Sequence, residues 1–242
     1  MSSTKSPATS RRGAQTSEKT ERHMRRASPR RPAVGALSLP SLTVGDPELL
    51  EPEASRECER FEGIDLTGRS LAGLRLEECE LADLSLHDAD LRGARFVEVR
   101  LLRVSAPSLR SPRSSWRDVC IENSRIGSAE LSGSSWQSVR FVGCKLSYLN
   151  LRDADLSDVE FVDCTVEELD IGSARVARIA FSSSSVQTLS VELAQLEDVD
   201  LRGADIGTYR GLENLRGATV TPRQFAALAP QLAQHLGIAI QD

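Results

Sequence analysis

The stretch FEGIDLTGRSLAGLRLEECELADLSLHDADLRGARFVEVRL, residues 61–101, has an apolar residue at every fifth position. The same register, weakened only at Ala106 and Ser111, resumes at Trp116 and continues to Ile206. A period of five fits neither common element. Five steps turn an α-helical side chain by about 140°, and they place a strand side chain on the opposite face. The pattern instead predicts a short strand and a turn in each five residues, as in a β-solenoid.

We call the apolar residue at every fifth position the central residue. A second inward position lies two residues before each central residue, and small or aliphatic side chains recur there, as at Cys79, Leu84 and Ala89. A large central group and a small corner group together fill a narrow tube. The other three positions are mostly Asp, Glu, Arg, Ser, Thr and Gly, which suit turns and a wet exterior. Any activity must therefore lie in the outward residues, because the repeated ones are committed to the core.

Several pentapeptides resemble the A-(D/N)-L-x-x consensus of the pentapeptide-repeat proteins. The best matches are Ala89-Asp90-Leu91-Arg92-Gly93, Ala154-Asp155-Leu156-Ser157-Asp158 and Ala204-Asp205-Ile206. The resemblance covers about 150 residues in one register. It implies an all-β fold, a right-handed quadrilateral β-helix with four pentapeptides in each coil. Trp116 and Trp136 depart from the family's smaller central residues.

A coil of twenty residues makes its own prediction, because unusual residues recur at that spacing. They are Phe141, Phe161 and Phe181; Trp116 and Trp136; Cys144 and Cys164; and Gly73, Gly93 and Gly133. If the coils stack at the usual strand spacing of about 4.8 Å, each series is a ladder of touching groups.

We divide the chain into a disordered basic tail (1–45), an N-terminal cap or transition (46–57), the solenoid (58–208), and a connector with a C-terminal helical cap (209–242). Residues 1–50 hold nine Lys/Arg and four Asp/Glu, whereas the whole chain has a net charge of −5. The tail has too little apolar periodicity to fold alone. It is either a solvated tail or a weak, salt-sensitive contact for nucleic acid.

The C-terminal segment predicts a helix that begins after the N-cap Thr221 and ends at Gly237. Its apolar face comprises Phe225, Leu228, Leu232 and Leu236. Pro230 should kink or split it. The segment resembles the C-terminal cap of uncharacterised actinobacterial pentapeptide-repeat proteins. It either covers the last coil or forms a homodimer, the role that a resemblance to gyrase-interacting family members implies.

Residues 104–115 interrupt the repeat, because Pro107 and Pro112 remove ladder donors while Ala106 and Ser111 underfill the core. This coil is either a distorted face available to a partner or a local irregularity offset by the bulky Trp116.

The sequence contains no catalytic, cofactor or metal motif, and we expect no enzyme activity and no cofactor. His23, His87 and His235 are too dispersed for a triad or a metal site. Five cysteines without a secretion signal indicate reduced thiols in a cytoplasmic protein. No apolar run is long enough for a membrane span.

One outward position, at twenty-residue spacing, is mainly acidic: Glu78, Glu98, Asp118, Asp158 and Asp198, interrupted by Ser138 and Arg178. The sequence therefore predicts a non-enzymatic scaffold or interaction surface whose partner is a protein. The alternative, implied by the family resemblance, is a DNA mimic that modulates DNA gyrase, a type II topoisomerase, through this acidic edge.

Overall fold

The structure, a computed structural model, describes residues 28–239 as a parallel β-solenoid with a C-terminal helix. One sheet contains β1 (Thr43–Val44), β2 (Ser55–Glu57), β3 (Glu59–Glu62), β4 (Arg75–Glu77), β5 (Glu80–Ala82), β7 (Arg95–Val97), β8 (Arg100–Leu102), β10 (Ser115–Glu122), β12 (Ser135–Val142), β14 (Asp155–Val162), β16 (Arg175–Ser182), β18 (Gln195–Glu197), β19 (Val199–Asp200) and β21 (Ala218–Thr219). The other contains β6 (Ala89–Asp90), β9 (Ser105–Arg110), β11 (Arg125–Glu130), β13 (Lys145–Asn150), β15 (Thr165–Asp170), β17 (Ser184–Ser190) and β20 (Ala204–Arg210).

The coil repeats every twenty residues, as predicted. In β10, β12 and β14, Val119 pairs with Val139 and Val139 with Val159, all in parallel register. The central residues are buried from Phe61 to Val191 and again at Leu201, and Leu196 between them is half-buried. The predicted β-helix is therefore confirmed.

Aromatic rings form the ladder that the spacing predicted. The ring centroids of Phe141 and Phe161 lie 4.9 Å apart and those of Phe161 and Phe181 lie 5.0 Å apart, with nearly parallel planes. Trp116 and Trp136 form the second predicted ladder, with ring centroids 5.9 Å apart, and both are buried. The central slot therefore accepts an indole in two successive coils.

The coil at 104–115 keeps its place in the stack, and small residues there make room for the neighbouring indole. Strand β9 pairs in register with β11, Ala106 opposite Ile126. Ser111 and Ser114 are buried, and the indole Nε1 of Trp116 donates to Ser114 Oγ at 2.7 Å. The coil therefore stays in register, and Trp116 hydrogen-bonds to one of its buried serines.

Both ends of the rod are covered. At the N-terminal end, a 3-10 helix (Pro47–Leu49) precedes Leu50, which is fully buried, and Gly45 lies against the ring of Phe61. At the C-terminal end, a second 3-10 helix (Leu212–Asn214) leads to α1 (Pro222–His235).

Helix α1 begins with the predicted capping box, in which Gln224 N donates to Thr221 Oγ1 and Thr221 N to Gln224 Oε1. Pro230 does not split the helix, which continues through it to His235. Pro230 and Ala226, four residues earlier, are both exposed, so the carbonyl that loses its donor faces water.

Candidate functional site: the acidic edge

The five predicted edge residues share one backbone position of the coil, which Ser138 and Arg178 occupy in the two coils between them. Their φ angles lie between 52° and 56°, in the left-handed region that short polar residues tolerate at turns. The backbone N–H of Glu78 donates to the carbonyl of Val97, and that of Glu98 to the carbonyl of Arg117, both at 2.9 Å. The side chains therefore project one per coil along one edge of the rod. We call Glu78, Glu98 and Asp118 the N-terminal half of this acidic edge, and Asp158 and Asp198 the C-terminal half.

In the C-terminal half, the charges are neutralised within the chain. Arg178 Nε and Nη2 each donate to Asp158 at 2.7 Å, and the backbone N–H of Ala33 donates to the same carboxylate at 2.8 Å. Only 12% of the Asp158 side chain is exposed. The hydrogen bonds from Arg178, and secondarily from Ala33, lower the pKa of Asp158 below its ordinary value.

Asp198, at the far end of the edge, is neutralised by the N-terminal segment itself. Arg30 Nε donates to Asp198 Oδ2 at 2.5 Å, and the same guanidinium pairs with Glu197. The hydrogen bond to Asp198 raises the pKa of Arg30. The C-terminal half is thus an acidic strip that already holds its own cations.

In the N-terminal half, the acidic side chains have no such partners. Glu78 stands beside Glu57 and Glu77, two exposed residues that pair in register on neighbouring coils. Among residues 28–239, no lysine or arginine forms an ion pair with Glu57, Glu77, Glu78 or Glu98. Asp118 has only Arg117, at 4.0 Å, and its side chain is 47% exposed. This half is therefore an uncompensated acidic stack.

The segment 28–42, which we call the arm, runs along the acidic edge from the C-terminal to the N-terminal end. The sequence assigned it to the tail, whereas the structure lays it against the rod. Ala33 reaches Asp158, the carbonyl of Val34 accepts from Arg140, and that of Leu37 accepts from Arg100. The remaining predicted tail, residues 1–27, lies outside the described residues.

The sequence contains a signal for the arm, but it is hard to recognise because the spacing of the arm's apolar residues fits neither a helix nor a strand. Apolar or proline side chains at irregular steps of two or three are half-buried, while the residues between them are exposed. The half-buried residues are Pro29, Pro32, Val34, Leu37, Leu39 and Leu42. After the arm, β1 pairs with β3, Thr43 opposite Glu59, which anchors the arm to the first coil.

The predicted apolar face of α1 is divided between the rod and solvent. Leu228 is buried and Leu232 is half-buried, whereas Phe225 and Leu236 are 57% and 67% exposed. The surface toward the last coil also carries amides. Gln224 Nε2 donates to the carbonyls of Leu201 and Ala204, both at 2.7 Å.

One group could offer ligands to a metal ion: Glu57, Cys58 and Glu78, whose donor atoms lie within 4.8 Å of one another. The thiol of Cys58 donates to Glu78 Oε2 at 3.1 Å, and this bond raises the pKa of Cys58 to about 11. Because this thiol is hydrogen-bonded to Glu78, we describe the group as part of the acidic stack. Cys144 and Cys164 are buried free thiols.

Comparisons with known proteins agree with this architecture. The family described as "Pentapeptide repeat region" matches residues 134–210, and the one described as "Pentapeptide repeats (8 copies)" matches residues 60–96. No curated protein matches the chain. Within residues 28–239, no helix has the length and hydropathy that crossing a bilayer requires.

Two solved structures similar to the chain are described as follows. Full-length QnrB1, described as a plasmid-mediated fluoroquinolone resistance protein, is 14% identical with a TM-score of 0.31, over 75% of this chain and 91% of QnrB1. HetL, described as a pentapeptide-repeat protein involved in heterocyst differentiation regulation in Nostoc sp. strain PCC 7120, is 16% identical with a TM-score of 0.26, over 69% of this chain and 89% of HetL. The two family matches and the twenty-residue coil together identify the chain as a pentapeptide-repeat protein.

Proposed function

We propose that this chain is a non-enzymatic interaction rod that binds a basic surface of a partner protein through the N-terminal half of its acidic edge. The observation that supports this most strongly is the stack of Glu57, Glu77, Glu78 and Glu98, acidic side chains on neighbouring coils that form no ion pair with any lysine or arginine of residues 28–239. The repeated residues of the rod are buried, so binding falls to outward positions of this kind.

Electrostatics supports this choice of surface. Carboxylates on adjacent coils are about 4.8 Å apart, and two unit charges at that distance repel by roughly 1 kcal/mol in water. Elsewhere on the rod, opposite charges twenty residues apart relieve this repulsion, as in the pair of Asp83 with Arg103 at 2.6 Å. A basic partner would provide the same relief for the N-terminal half.

Charge reversal tests this function. A variant with Glu78→Lys, Glu98→Lys and Asp118→Lys should fail to capture the partners that the wild-type chain captures from its native lysate. The matched control carries Asp153→Lys, Asp163→Lys and Glu167→Lys, which change the net charge equally at exposed acids elsewhere on the rod. This control should still capture the partners. Equal loss in both variants would show that only net charge matters, and the proposal would be abandoned.

The second candidate function is DNA mimicry toward a type II topoisomerase such as gyrase. What favours it is the recurrence of carboxylates at one backbone position of the coil, in five of the seven coils from Glu78 to Asp198. Duplex DNA carries one charge per roughly 1.7 Å of axis, whereas one carboxylate per coil gives one per about 4.8 Å. Neutralisation of Asp158 and Asp198 also shortens the available acidic strip.

A supercoiling assay separates the two functions. A DNA mimic should inhibit or protect gyrase at micromolar concentrations, and the triple reversal of Glu78, Glu98 and Asp118 should abolish that effect. If the wild-type chain leaves supercoiling unchanged, the mimic is excluded and the interaction rod is unaffected.

A homodimer through α1 belongs to the same proposal. Phe225 and Leu236 leave apolar surface exposed beside the half-buried Leu232, while Leu228 holds the helix to the rod. Phe225→Glu should therefore convert a dimer to a monomer in sedimentation without unfolding the rod. A wild-type chain that is already a monomer would contradict the proposed dimer.

Nucleic-acid binding by the tail stays a prediction, but Arg30, one of the tail's cations, is already paired within the chain.

A further inference from the structure

We propose that the acidic edge is also a groove for an extended, arginine-bearing peptide, which the chain's own arm occupies in this structure. A partner's segment of the same chemistry would bind there when the arm leaves. This inference rests on the proposed function of the edge as an interaction surface, and it extends that function to the C-terminal half.

The arm is bound as a peptide ligand is bound. Residues 28–42 form no strand, and the arm contributes backbone groups to three hydrogen bonds with side chains of the rod. Asp158 accepts from Ala33 N at 2.8 Å, Arg140 Nη2 donates to the carbonyl of Val34 at 3.2 Å, and Arg100 Nη2 donates to that of Leu37 at 3.4 Å. Contacts to backbone atoms do not depend on side-chain identity, so they suit any extended segment.

The groups that hold the arm are positioned by the rod itself. Arg140 Nε donates to Glu160 at 2.9 Å, and Arg100 Nη1 donates to Glu80 at 3.2 Å. Asp158 is held by both donors of Arg178. Because none of these bonds involves the arm, the groove should keep its shape when the arm is released.

Specificity at one end of the groove comes from charge. The guanidinium of Arg30 pairs with both Glu197 and Asp198, and it is the one arm side chain for which ion pairs are found among the described residues. The Arg30 side chain is 61% exposed, so this anchor is accessible to water and salt. An exposed pair of this kind contributes little to stability, which makes the arm releasable.

The middle of the arm packs loosely. A cavity of about 230 Å³ lies between residues 34–38 and a wall that includes Asp118, Cys120 and Ser138. A Cβ built on Gly35 would meet no atom within 4 Å. A segment with larger side chains at these two or three positions would fill the space and gain contacts that the arm does not make.

A labelled peptide with the sequence of residues 28–44 tests the groove in trans. By fluorescence anisotropy, it should bind the full-length Arg30→Glu variant about fivefold tighter than the wild-type chain, since the weakened arm competes less. Equal affinity for the two proteins would show that the arm does not occupy the groove, and absence of binding to both would show that the groove takes no free segment. Either result overturns the proposal.

The site of binding is tested on the Arg30→Glu background. Adding Asp158→Asn should weaken the peptide about tenfold, because a charged acceptor is lost from a mostly buried contact. Adding Asp155→Asn is the matched control. Asp155 forms an equivalent pair with Arg175 on the same two coils, away from the arm, so peptide affinity should not change. Equal effects of the two substitutions would contradict the proposed groove.

A substitution in the peptide avoids any question of protein folding. Arg30→Glu in the peptide, with no further change in the protein, should abolish the peptide's tighter binding to the Arg30→Glu variant. Retained affinity would overturn the charge anchor. The whole test reads the C-terminal half of the edge. Failure of the charge-reversal experiment on Glu78, Glu98 and Asp118 would therefore be distinguishable from failure here.

Discussion

The two halves of the acidic edge have the same backbone and opposite electrostatics. Glu78 and Asp158 occupy the same left-handed position, four coils apart. Asp158 is covered by the arm and held by Arg178, whereas Glu78 has acidic neighbours and a thiol. The fold therefore fixes where these side chains project, and the residues twenty positions away decide whether the charge is available to a partner.

Along the acidic edge, this difference assigns some residues to folding stability and others to binding. A carboxylate that is paired and mostly buried contributes to folding, and removing its partner leaves an unsatisfied charge. Carboxylates that repel one another in water contribute little to folding and keep their charge for binding. We therefore expect mutations in the C-terminal half to affect stability and arm docking, and mutations in the N-terminal half to affect binding.

The largest expected effect follows from Arg178→Ala, which leaves the shielded Asp158 without its main partner. The free energy of unfolding should fall by about 2 kcal/mol. The control is Arg175→Ala, whose partner Asp155 is about half exposed, so its loss should lower the free energy of unfolding much less. Chemical denaturation measures both, and equal losses would show that the two pairs do not differ.

Acidification should release the arm at the C-terminal half. The folded-state pKa of Asp158 is depressed below its ordinary value of 3.8. Its contribution is therefore present above pH 3.8 and is lost as the pH falls through the lowered folded value. Relative to the intrinsic exchange rate at each pH, hydrogen exchange at the Ala33 amide should accelerate about fivefold over that interval, for a bond worth roughly 1 kcal/mol. Acceleration already complete at pH 5 would be inconsistent with this assignment.

Glu98→Arg should give the N-terminal half the pairing of the C-terminal half. Arginine at 98 would stand twenty residues after Glu78, as Arg178 stands after Asp158. We expect a gain in unfolding free energy of about 0.5 kcal/mol, together with weaker partner binding. The reverse outcome, lower stability with unchanged binding, would mean that the acidic stack is not what the partner recognises.

The smallest expected effect is local. Glu78→Gln should leave stability within about 0.5 kcal/mol of the wild type, while the pKa of Cys58 falls from about 11 toward its ordinary value of 9.0. The pH dependence of alkylation at Cys58 measures this shift. An unchanged profile would indicate that Glu78 does not hold the thiol proton.

The core was predictable from the sequence because inward positions repeat. The Phe141–Phe161–Phe181 ladder and the stacking of the two tryptophans followed from spacing alone. Outward pairs carried a weaker signal that the prediction did not use, namely opposite charges twenty residues apart. Asp83 with Arg103 and Asp158 with Arg178 are examples.

The arm and the division of the α1 face were not predictable in this way. The arm's bonds join backbone groups to side chains more than sixty residues away, as between Leu37 and Arg100, and no local pattern encodes such contacts. On α1, the amides of Gln224 satisfy open carbonyls of the last coil, which rotates part of the apolar face toward solvent.

The central claim is that the N-terminal half of the acidic edge, and not the C-terminal half, is available to a basic partner in the intact chain. The most direct measurement is an NMR titration of the wild-type protein with a short arginine peptide, read at backbone amides. We predict that shifts begin at Glu78, Glu98 and Asp118, and that Asp158 and Asp198 move only at higher peptide concentrations, where the peptide displaces the arm. Shifts of equal size along the whole edge, or at Asp158 and Asp198 first, would contradict the account.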